Sequence, residues 1–305
     1  MKEKLVKVEL DKDNFNKNII SFIMLHSDTF NVSENNSFDI LSWKYLDNCY
    51  GEELGSCFFY ENKVVSMRLF TSWKMSYNGT YFNCLQPSDS ATAKEHKGQG
   101  LFGELTKDCI NNLEYDFLFN FPNENSISIY LKLGFYLIKK IKPSVAFVGF
   151  PFFFSKRKLH SPLCFDDLEF ISSSVYEDVL SSCWDTTSLN WRFLNNPSNT
   201  YFFYKNKSVF VVYKLVSSKS WLIDVMLTSY HFSMSDYINF TTYLKTRGVV
   251  FIRYFGINTA FLNIISKNMF SFKYGTELNV VSFSKIDDDI LKEKLRIELS
   301  DTDFA

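Results

Sequence analysis

Residues Thr92 to Gly103 read TAKEHKGQGLFG and contain three of the chain's eleven glycines. A run of alternating polar and apolar residues precedes this stretch, and Leu101, Leu105 and Cys109 follow with helical spacing. The glycines are therefore predicted to form a turn between a strand and a helix. Free amides at a helix N-terminus favour an anion, because no Cβ obstructs the approach and the helix dipole attracts negative charge. With lysines on either side, this glycine turn is predicted to cradle a phosphate group.

A second segment lies downstream of the glycine turn at a suitable distance. Residues Pro122 to Phe135 read PNENSISIYLKLGF and follow a strand-like run. Lys97 to Phe102 resembles the Arg/Gln-x-x-Gly-x-Gly/Ala loop of the GNAT superfamily of N-acetyltransferases, which holds the pyrophosphate of coenzyme A. The second segment resembles that family's other signature, an asparagine that opens a helix ending in Tyr-x-Lys-Leu-Gly-Phe. The chain departs from the family at Lys97, where Arg or Gln is usual, and at Phe102, where a small residue is usual.

This resemblance implies a fold, a cofactor and a proton donor. The fold class is α/β with a mixed (α+β) sheet, in which the strand before the glycine turn and the next strand splay apart around the pantetheine arm. The cofactor is acetyl-CoA or another short acyl-CoA. The residues expected to bind it are Ser90, Ala91, Thr92, Lys97, Gly98, Gln99, Gly100, Leu101, Phe102, Asn123 and Ser126. Tyr130 is expected to protonate the leaving thiolate, and Asn123 to be the N-cap of the next helix.

The catalytic base is open to more than one interpretation. Asp89 lies near the end of the strand that leads to the acyl group, where a carboxylate accepts the amine proton directly or through water. A structural role, such as bonding a neighbouring backbone group, is the alternative. Glu95 and His96 flank the glycine turn and are expected nearer the phosphates than the amine. Glu52 and Glu53 form either a solvated turn or an anionic lip for a cationic amine.

The second half of the chain repeats patterns of the first. The sequence LSWKYL at residues 41–46 recurs as LNWRFL at residues 189–194, and an aromatic, strand-like run follows each copy. A constant shift relates three further pairs of positions, namely Asp89 and Asp224, Asn123 and Asn258, and Phe135 and Phe270. Repeats of this size indicate two tandem domains of the same fold, each with a twisted central sheet flanked by helices.

The second copy lacks the features that bind phosphate. The same shift relates Gly98 to Ser233, Gly100 to Ser235, Leu101 to Asp236 and Tyr130 to Ile265. A carboxylate is therefore expected where phosphate would lie, and the proton donor is lost. We predict a catalytic GNAT domain at residues 1–154 and a degenerate GNAT-like domain at residues 155–305, which completes a substrate cleft or covers the first sheet. The polar stretch at residues 155–162 marks the break between them.

Composition restricts the partners and the compartment. The net charge of −1 and pI near 6.4 give no electrostatic footprint for nucleic acid. The cysteines follow no metal or disulfide pattern, which predicts reduced thiols, a cytoplasmic protein and no metal site. No signal peptide is evident, and the longest apolar run, Val145 to Phe154, is too short for stable membrane insertion. The charged tail from Asp287 to Ala305 is predicted to form a short helix and a frayed end.

Together these patterns predict an acyl-CoA-dependent N-acyltransferase. Its acceptor is expected to be a primary amine of a small molecule. An amino sugar is the first choice, because proteins resembling the first domain accompany bacterial surface-polysaccharide synthesis. A noncatalytic acyl-CoA-binding protein, an aminoacyltransferase of the Fem type and a scaffolding protein are the alternatives. The oligomeric state is left open.

Overall fold

The computed structural model describes residues 4–150, 158–172, 178–207, 209–216, 219–267, 271–273, 275, 277–285 and 288–302. Its helices are α1 (Lys12–Lys17), α2 (Ile19–Phe30), α3 (Glu34–Leu41), α4 (Leu101–Asn112), α5 (Ile127–Lys132), α6 (Phe165–Ser172), α7 (Thr186–Leu189), α8 (Met234–Lys245), α9 (Thr259–Ser266) and α10 (Asp288–Lys294). Its strands are β1 (Val6–Leu10), β2 (Gly55–Tyr60), β3 (Lys63–Tyr77), β4 (Thr80–Thr92), β5 (Phe117–Asn120), β6 (Tyr136–Ile141), β7 (Ser144–Phe147), β8 (Ser181–Ser182), β9 (Phe202–Asn206), β10 (Val209–Val216), β11 (Lys219–Thr228), β12 (Phe251–Tyr254), β13 (Ser271–Lys273) and β14 (Leu278–Ser284). Two π-helical turns, Ser42–Leu46 and Asn190–Leu194, and two 3-10 turns, Lys94–His96 and Leu299–Asp301, also occur.

The chain divides into two compact units. Unit one comprises Met1–Met75, Tyr81–Ile138 and Val281–Asp288, and unit two comprises Ser76–Thr80, Lys139–Val280 and Asp289–Ala305. The first sheet has the strand order β1-β2-β3-β4-β5-β14-β6, and the second has the order β13-β7-β12-β11-β10-β9. Both sheets are mixed, since β4 is parallel to β5 and β11 is parallel to β12 while the hairpin partners are antiparallel. The predicted α/β class with mixed sheets is confirmed.

Two strands do not lie where the sequence-based division of the chain assigns them. β7, which belongs to the segment assigned to the first domain, pairs antiparallel with β12 in the second sheet. β14, from the segment assigned to the second domain, pairs antiparallel with β5 in the first sheet. Both are short apolar strands, and their sequences carry no signal for which sheet they join. The predicted break between residues 154 and 155 stays a prediction, and residues 151–157 lie outside the described residues.

Helices cover both faces of the first sheet. On one face α1, α2 and the first π-helical turn bury an apolar cluster that includes Phe15, Phe22 and Tyr45. On the other face α4 and α5 bury a cluster that includes Cys109 and Tyr130. Because successive side chains of a strand point to opposite faces, β4 presents alternate residues to these two layers.

The pairing between β4 and β5 is short. The parallel register joins Cys84 to Phe117 and Leu85 to Leu118 and ends there, although β4 continues to Thr92. Among the described strands none pairs with residues 88–92 of β4 on the side that faces β5. The two strands therefore diverge at their carboxyl ends, as the sequence resemblance implies.

In unit two the C-terminal segment lies where β11 and β12 cease to pair. Their parallel register ends at Val225 and Tyr254. Beyond it, the Arg296 guanidinium donates to the carbonyl of Thr228 at 2.7 Å, and the amide of Thr228 donates to the Glu298 carboxylate at 3.3 Å. On the opposite side Gly256 forms an antiparallel bridge with Glu298, and the amide of Ile257 donates to the carbonyl of Ile297 at 2.7 Å. Residues 296–298 thus supply hydrogen-bond partners to backbone groups of β11 and of the segment after β12 that no longer bond to each other.

Side chains anchor this segment in the interior of unit two. The carboxylate of Glu298 accepts from the hydroxyls of Thr228 at 2.7 Å and Tyr254 at 3.1 Å, and from the Arg296 guanidinium at 2.8 Å. The buried Arg192 donates to the carbonyl of Ser300 at 2.8 Å. Residues 295–302 are buried. The predicted terminal helix is present as α10, but the prediction of a frayed end is wrong for residues 295–302, and residues 303–305 lie outside the described part.

We expect Glu298→Gln to lower the free energy of unfolding by roughly 3 kcal/mol or more, because it leaves the buried Arg296 guanidinium without its carboxylate. The double variant Arg296→Met/Glu298→Gln removes both charges and is expected to be more stable than Glu298→Gln alone. Urea denaturation followed by tryptophan fluorescence measures both. A Glu298→Gln protein as stable as the wild type would show that the ion pair does not hold the segment.

Candidate active site

The glycine turn precedes α4 and leaves the start of that helix without a cap. Gly98 and Gly100 have φ angles of +77° and +79°, and a Cβ built on either would meet no atom within 4 Å. Gly100 is the N-cap of α4 and, because it has no side chain, forms no side-chain cap on the first turn of the helix. Both glycines are exposed, and Lys97 beside them is exposed too. The amides of the turn therefore face open space beside a cationic side chain, which is the environment that an anion requires.

The corresponding helix of unit two is capped by its own side chains. The Ser233 hydroxyl accepts from the amide of Asp236 at 3.2 Å, and the Asp236 carboxylate accepts from the amide of Ser233 at 3.0 Å. This reciprocal capping box satisfies amides at the start of α8 that a phosphate would otherwise bind. The carboxylate predicted at this position thus closes the helix start.

The side chains of Ser90, Ala91 and Thr92 on β4, which are expected to bind the cofactor, are buried or already hydrogen-bonded within the protein. The hydroxyl of Thr92 is bonded to that of Ser66 at 2.9 Å, and Ala91 is buried in the core. The hydroxyl of Ser90 donates to the carbonyl of Ser88 at 3.1 Å and also accepts from the Arg68 guanidinium. What β4 can offer a ligand is therefore its backbone.

In the glycine turn some side chains face the core and others face the surface. Leu101 is buried beneath the first turn of α4. Phe102 is half-buried, and its ring centroid lies 4.9 Å from the Arg68 guanidinium carbon. The side-chain amide of Gln99 donates to the carbonyl of Glu95 at 3.4 Å. Gln99 and the glycines beside it are left on the surface, while Leu101 fixes the helix to the core.

The prediction that Asn123 is the N-cap of α5 is wrong, because the helix begins three residues later. Its N-cap is Ser126. The side-chain oxygen of Asn123 instead accepts from the amides of Asn125 and Ser126, at 3.0 and 3.1 Å, and from the Ser126 hydroxyl at 3.1 Å. An intervening turn, residues 124–126, uses the asparagine to order the approach to the helix. Asn123 and Ser126 lie close together after the end of β5, but neither caps α5 with its side chain.

Tyr130 lies on α5 and is 2 % exposed. Its ring packs edge-on against Phe102 and Phe135, with centroid distances of 6.2 and 4.9 Å. The Tyr130 hydroxyl accepts a hydrogen bond from the Arg68 guanidinium. Because an arginine only donates, the hydroxyl hydrogen of Tyr130 remains available to an acceptor. The predicted proton donor is therefore buried and oriented by a cation.

Arg68 is the residue that the sequence analysis missed. It lies on β3, is 2 % exposed, and also donates to the carbonyl of Ser88 at 3.1 Å. The signal in the sequence is its position in the run VVSMRLFTSW, residues 64–73, where Arg68 is the one charged residue of a largely apolar strand. A buried charge is costly enough that its position in such a run indicates a particular partner.

Asp89 belongs to a buried cluster on the opposite layer from Tyr130. Its carboxylate accepts from the Tyr45 hydroxyl at 2.8 Å and from the Lys44 ammonium at 3.1 Å, and lies 3.7 Å from Nε2 of His26. Burial alone would raise the pKa of Asp89, but the positive charge of Lys44, the nearby His26 ring and the hydrogen bond from Tyr45 hold it well below its usual range. A carboxylate held in this way is a weak base, which favours the structural role.

The counterpart of Asp89 in unit two is also in an ion pair. Asp224 accepts two hydrogen bonds from the Arg253 guanidinium, at 2.5 and 2.7 Å. The carboxylates at both related positions thus hold a cationic side chain against the sheet.

The remaining acidic and histidine candidates lie outside this cluster. Glu95 is exposed, and the half-buried ring of His96 packs against Tyr60 at a centroid distance of 5.3 Å. Glu52 is exposed, whereas partial burial and then the charge of Glu114 raise the pKa of Glu53. Glu95 and His96 flank the helix start, as expected. The anionic lip at Glu52 and Glu53 stays a prediction.

Comparison with known protein families gives a match over the part of the chain that carries this site. Residues 16–138 match the family model of an acetyltransferase (GNAT) domain. A comparison with curated protein sequences finds no match.

Solved structures share the fold over both units. A GCN5-related N-acetyltransferase from Anabaena variabilis is 12 % identical with a TM-score of 0.63, over 92 % of this chain and 72 % of that one. A probable N-acyltransferase from Enterococcus faecalis is 12 % identical with a TM-score of 0.65, over 95 % and 75 %. The N-myristoyltransferase of Saccharomyces cerevisiae, solved with bound myristoyl-CoA, is 9 % identical with a TM-score of 0.55, over 93 % and 80 %. At this identity they show the fold alone, and they confirm the predicted fold class with its GNAT-like architecture.

In the parts of the chain that the structure describes, no helix is long and apolar enough to cross a membrane. The same residues contain no group of three or more His, Cys, Asp or Glu side chains that could hold a metal ion.

We expect Asp89→Asn to destabilise unit one by roughly 3–5 kcal/mol at pH 7, because it removes the carboxylate that pairs with the buried Lys44 ammonium. Since folding lowers the pKa of Asp89, its stabilising effect is fully present above the pKa of the unfolded chain, near 4, and is lost progressively as the pH falls from there through the lower pKa of the folded protein. The stability difference between wild type and variant should therefore shrink on acidification. Urea denaturation between about pH 2 and pH 7 measures it. Asp39→Asn, at an exposed position of α3, is the control; a pH-independent difference at Asp89 would contradict the ion-pair account.

Proposed function

We propose that the protein is an acyl-CoA-dependent N-acyltransferase that transfers an acetyl group to a primary amine of a small molecule. The observation that carries the proposal is the uncapped start of α4 with its two bare glycines. It lies at the end of the strand that parts from β5. This combination offers amides to a pyrophosphate and a gap between strands to an extended arm. The GNAT match over residues 16–138 supports the same conclusion.

The residues proposed to hold the cofactor fall into three groups. The backbone of Gly98 to Phe102 and the ammonium of Lys97 would bind the pyrophosphate. The backbone of Ser90, Ala91 and Thr92 would bond the pantetheine arm, since their side chains are buried or already bonded. Asn123 and Ser126 lie next to the end of β5 and would line the other side of the gap.

The chemistry requires an acid, a place for the oxyanion and an acceptor for the amine proton. The amine nitrogen attacks the thioester carbonyl, the carbon–sulfur bond breaks, and the thiolate takes a proton from the hydroxyl of Tyr130. A backbone amide of β4 would stabilise the oxyanion. The amine proton leaves through water; Asp89 as the base stays a prediction, and its ion pair with Lys44 supports a structural role instead.

We propose that unit two is a degenerate copy of the same fold. A π-helical turn, a hairpin, a long strand and a helix follow each other in both units, from Ser42–Leu46 in one and Asn190–Leu194 in the other. In unit two the helix start is capped by Ser233 and Asp236, and residues 296–298 lie where a pantetheine arm would lie in unit one. Both features argue against a second acyl-CoA site.

The alternatives make different demands on unit one. A noncatalytic acyl-CoA-binding protein needs the glycine turn but has no use for a buried tyrosine oriented by a cation, so Tyr130 and Arg68 favour an enzyme. A Fem-type aminoacyltransferase binds aminoacyl-tRNA. The net charge of −1 on this chain disfavours that substrate, because RNA binding depends on positive charge that neutralises phosphates. The amino-sugar acceptor and the cytoplasmic location rest on the sequence resemblance and on composition.

We expect isothermal titration with coenzyme A to give one site per chain. Gly100→Asp should weaken binding on the order of a hundredfold, because it places a carboxylate against the pyrophosphate. Gly79→Asp is the matched control: its φ is also positive, at +77°, and its Cβ also meets no atom within 4 Å, but it lies at the opposite end of β4. Two sites per chain, or a site lost in Asp236→Ala and kept in Gly100→Asp, would reverse the assignment of the two units.

We expect Tyr130→Phe to keep the affinity for acetyl-CoA and to lower turnover on the order of a hundredfold, because the thiolate loses its acid. Tyr115→Phe is the control, since that tyrosine is also buried in unit one and its hydroxyl donates to the carbonyl of Ile110 at 2.7 Å. Thiol release from acetyl-CoA, with an accepted amine at saturation, measures turnover. An unchanged rate in Tyr130→Phe would remove the proton-donor role and leave the cofactor site standing.

A further inference from the structure

Arg68 is a buried cation that pairs with no carboxylate among the described residues. It is 2 % exposed, and within the described residues its hydrogen-bond partners are the Ser88 carbonyl and the hydroxyls of Ser90 and Tyr130. Its Nε atom is buried without a hydrogen-bond partner. The nearby thiol of Cys109 supplies no negative charge, because burial raises its pKa to about 11.

Three pairs of charged side chains at buried or partly buried positions show the contrast. Asp89 is paired with Lys44, Asp224 with Arg253, and Arg296 with Glu298. Burying a charge without an opposite charge costs several kcal/mol, and such a charge marks a candidate functional site. The position of Arg68 indicates where negative charge appears during function.

The guanidinium joins two elements of the site. One Nη atom donates to the Ser88 carbonyl and the Ser90 hydroxyl on β4, and the other donates to the hydroxyl oxygen of Tyr130 on α5. The rings of Phe102 and Phe70 lie 4.9 and 5.3 Å from the guanidinium carbon. These rings keep the guanidinium away from water and strengthen its interaction with any anion beside it, because the local dielectric constant is low.

We propose that Arg68 is the positioning residue of the transfer reaction: it directs the hydroxyl hydrogen of Tyr130 away from itself and supplies the counter-charge for the phenolate. This inference rests on the proposed function. When the carbon–sulfur bond of the thioester breaks, the sulfur takes the bonding electrons and then the proton of the Tyr130 hydroxyl. The negative charge moves from sulfur to the phenolic oxygen, which the Arg68 guanidinium already contacts. A proton from solvent later restores the hydroxyl.

A structural role for Arg68 makes a different prediction. If the guanidinium only ties β3 to β4, its removal weakens the sheet whether or not Tyr130 carries a hydroxyl. If it acts through the phenolate, its removal slows the reaction only while that hydroxyl is present. Thr71 offers the matched control, because it also lies on β3 and its hydroxyl lies 2.7 Å from the hydroxyl of Ser88 on β4. Among the described hydrogen bonds, none joins Thr71 to Tyr130.

The test is a double-mutant cycle on thiol release from acetyl-CoA, with Arg68→Met, Tyr130→Phe and the double variant. Thr71→Val is the control, and circular dichroism and coenzyme A titration check each protein. In the wild-type background Arg68→Met is expected to lower kcat about ten- to a hundredfold with little change in KM, since a hydrogen bond to a charged group is lost. In the Tyr130→Phe background it should change kcat little. Arg68→Lys keeps the charge without the fork and should restore part of the rate.

The outcomes separate the inference from the function on which it rests. An equal loss of kcat in both backgrounds, or a loss in Thr71→Val as large as in Arg68→Met, would overturn the role of Arg68 and leave the acyltransferase standing. A folded wild-type protein that neither binds coenzyme A nor releases thiol from any acyl-CoA would overturn both. If Arg68→Met does not fold, the same cycle with Arg68→Lys decides, because a lysine cannot hold Ser88, Ser90 and Tyr130 together.

Discussion

The parallel ladder between β4 and β5 ends at Leu85 and Leu118, and the organisation of the site follows from that end. Backbone polar groups removed from water need partners, so strands that diverge in a protein interior must receive something between them. Unit two meets this requirement from its own chain, since residues 296–298 bond the carbonyl and amide of Thr228. In unit one no described strand takes that place. The space between the diverging strands is thus occupied by the chain itself in unit two and by no described strand in unit one, which is the physical basis for the proposal that the cofactor binds to unit one.

Buried carboxylates of both units form ion pairs with cationic side chains. The buried carboxylates Asp89 and Asp224 each hold a cation, and Glu298 holds Arg296. These pairs are complete within the protein and stabilise the layers on which they lie. Arg68 is different, because its partners are neutral oxygens. An incomplete electrostatic arrangement next to a helix start that lacks a cap is the combination expected at a reaction centre, where the missing negative charge arrives with the substrate.

Local sequence rules predicted the elements around the site well. The glycine turn lies between a strand and a helix, β4 and β5 diverge, and Tyr130 lies on the helix after β5. These features depend on backbone conformation and short-range periodicity, which the sequence expresses directly. Asn123 was misassigned because a turn and a helix N-cap use asparagine in the same way. The buried tail was misjudged because charged residues usually indicate solvent, whereas Arg296 and Glu298 neutralise each other inside unit two.

The sequence by itself determined the class of fold and the glycine turn at residues 97–102, and it is the source of the prediction that phosphate binds there and not at Ser233 and Asp236. Each is a property of adjacent residues, and a glycine at a helix start has the same meaning in any context. Only the tertiary structure decided that β7 and β14 join different sheets, that Arg68 contacts Tyr130, and that Asp89 is held by Lys44. These contacts join residues that are far apart in the chain. Their energies come from burial and pairing in three dimensions, which no local pattern records.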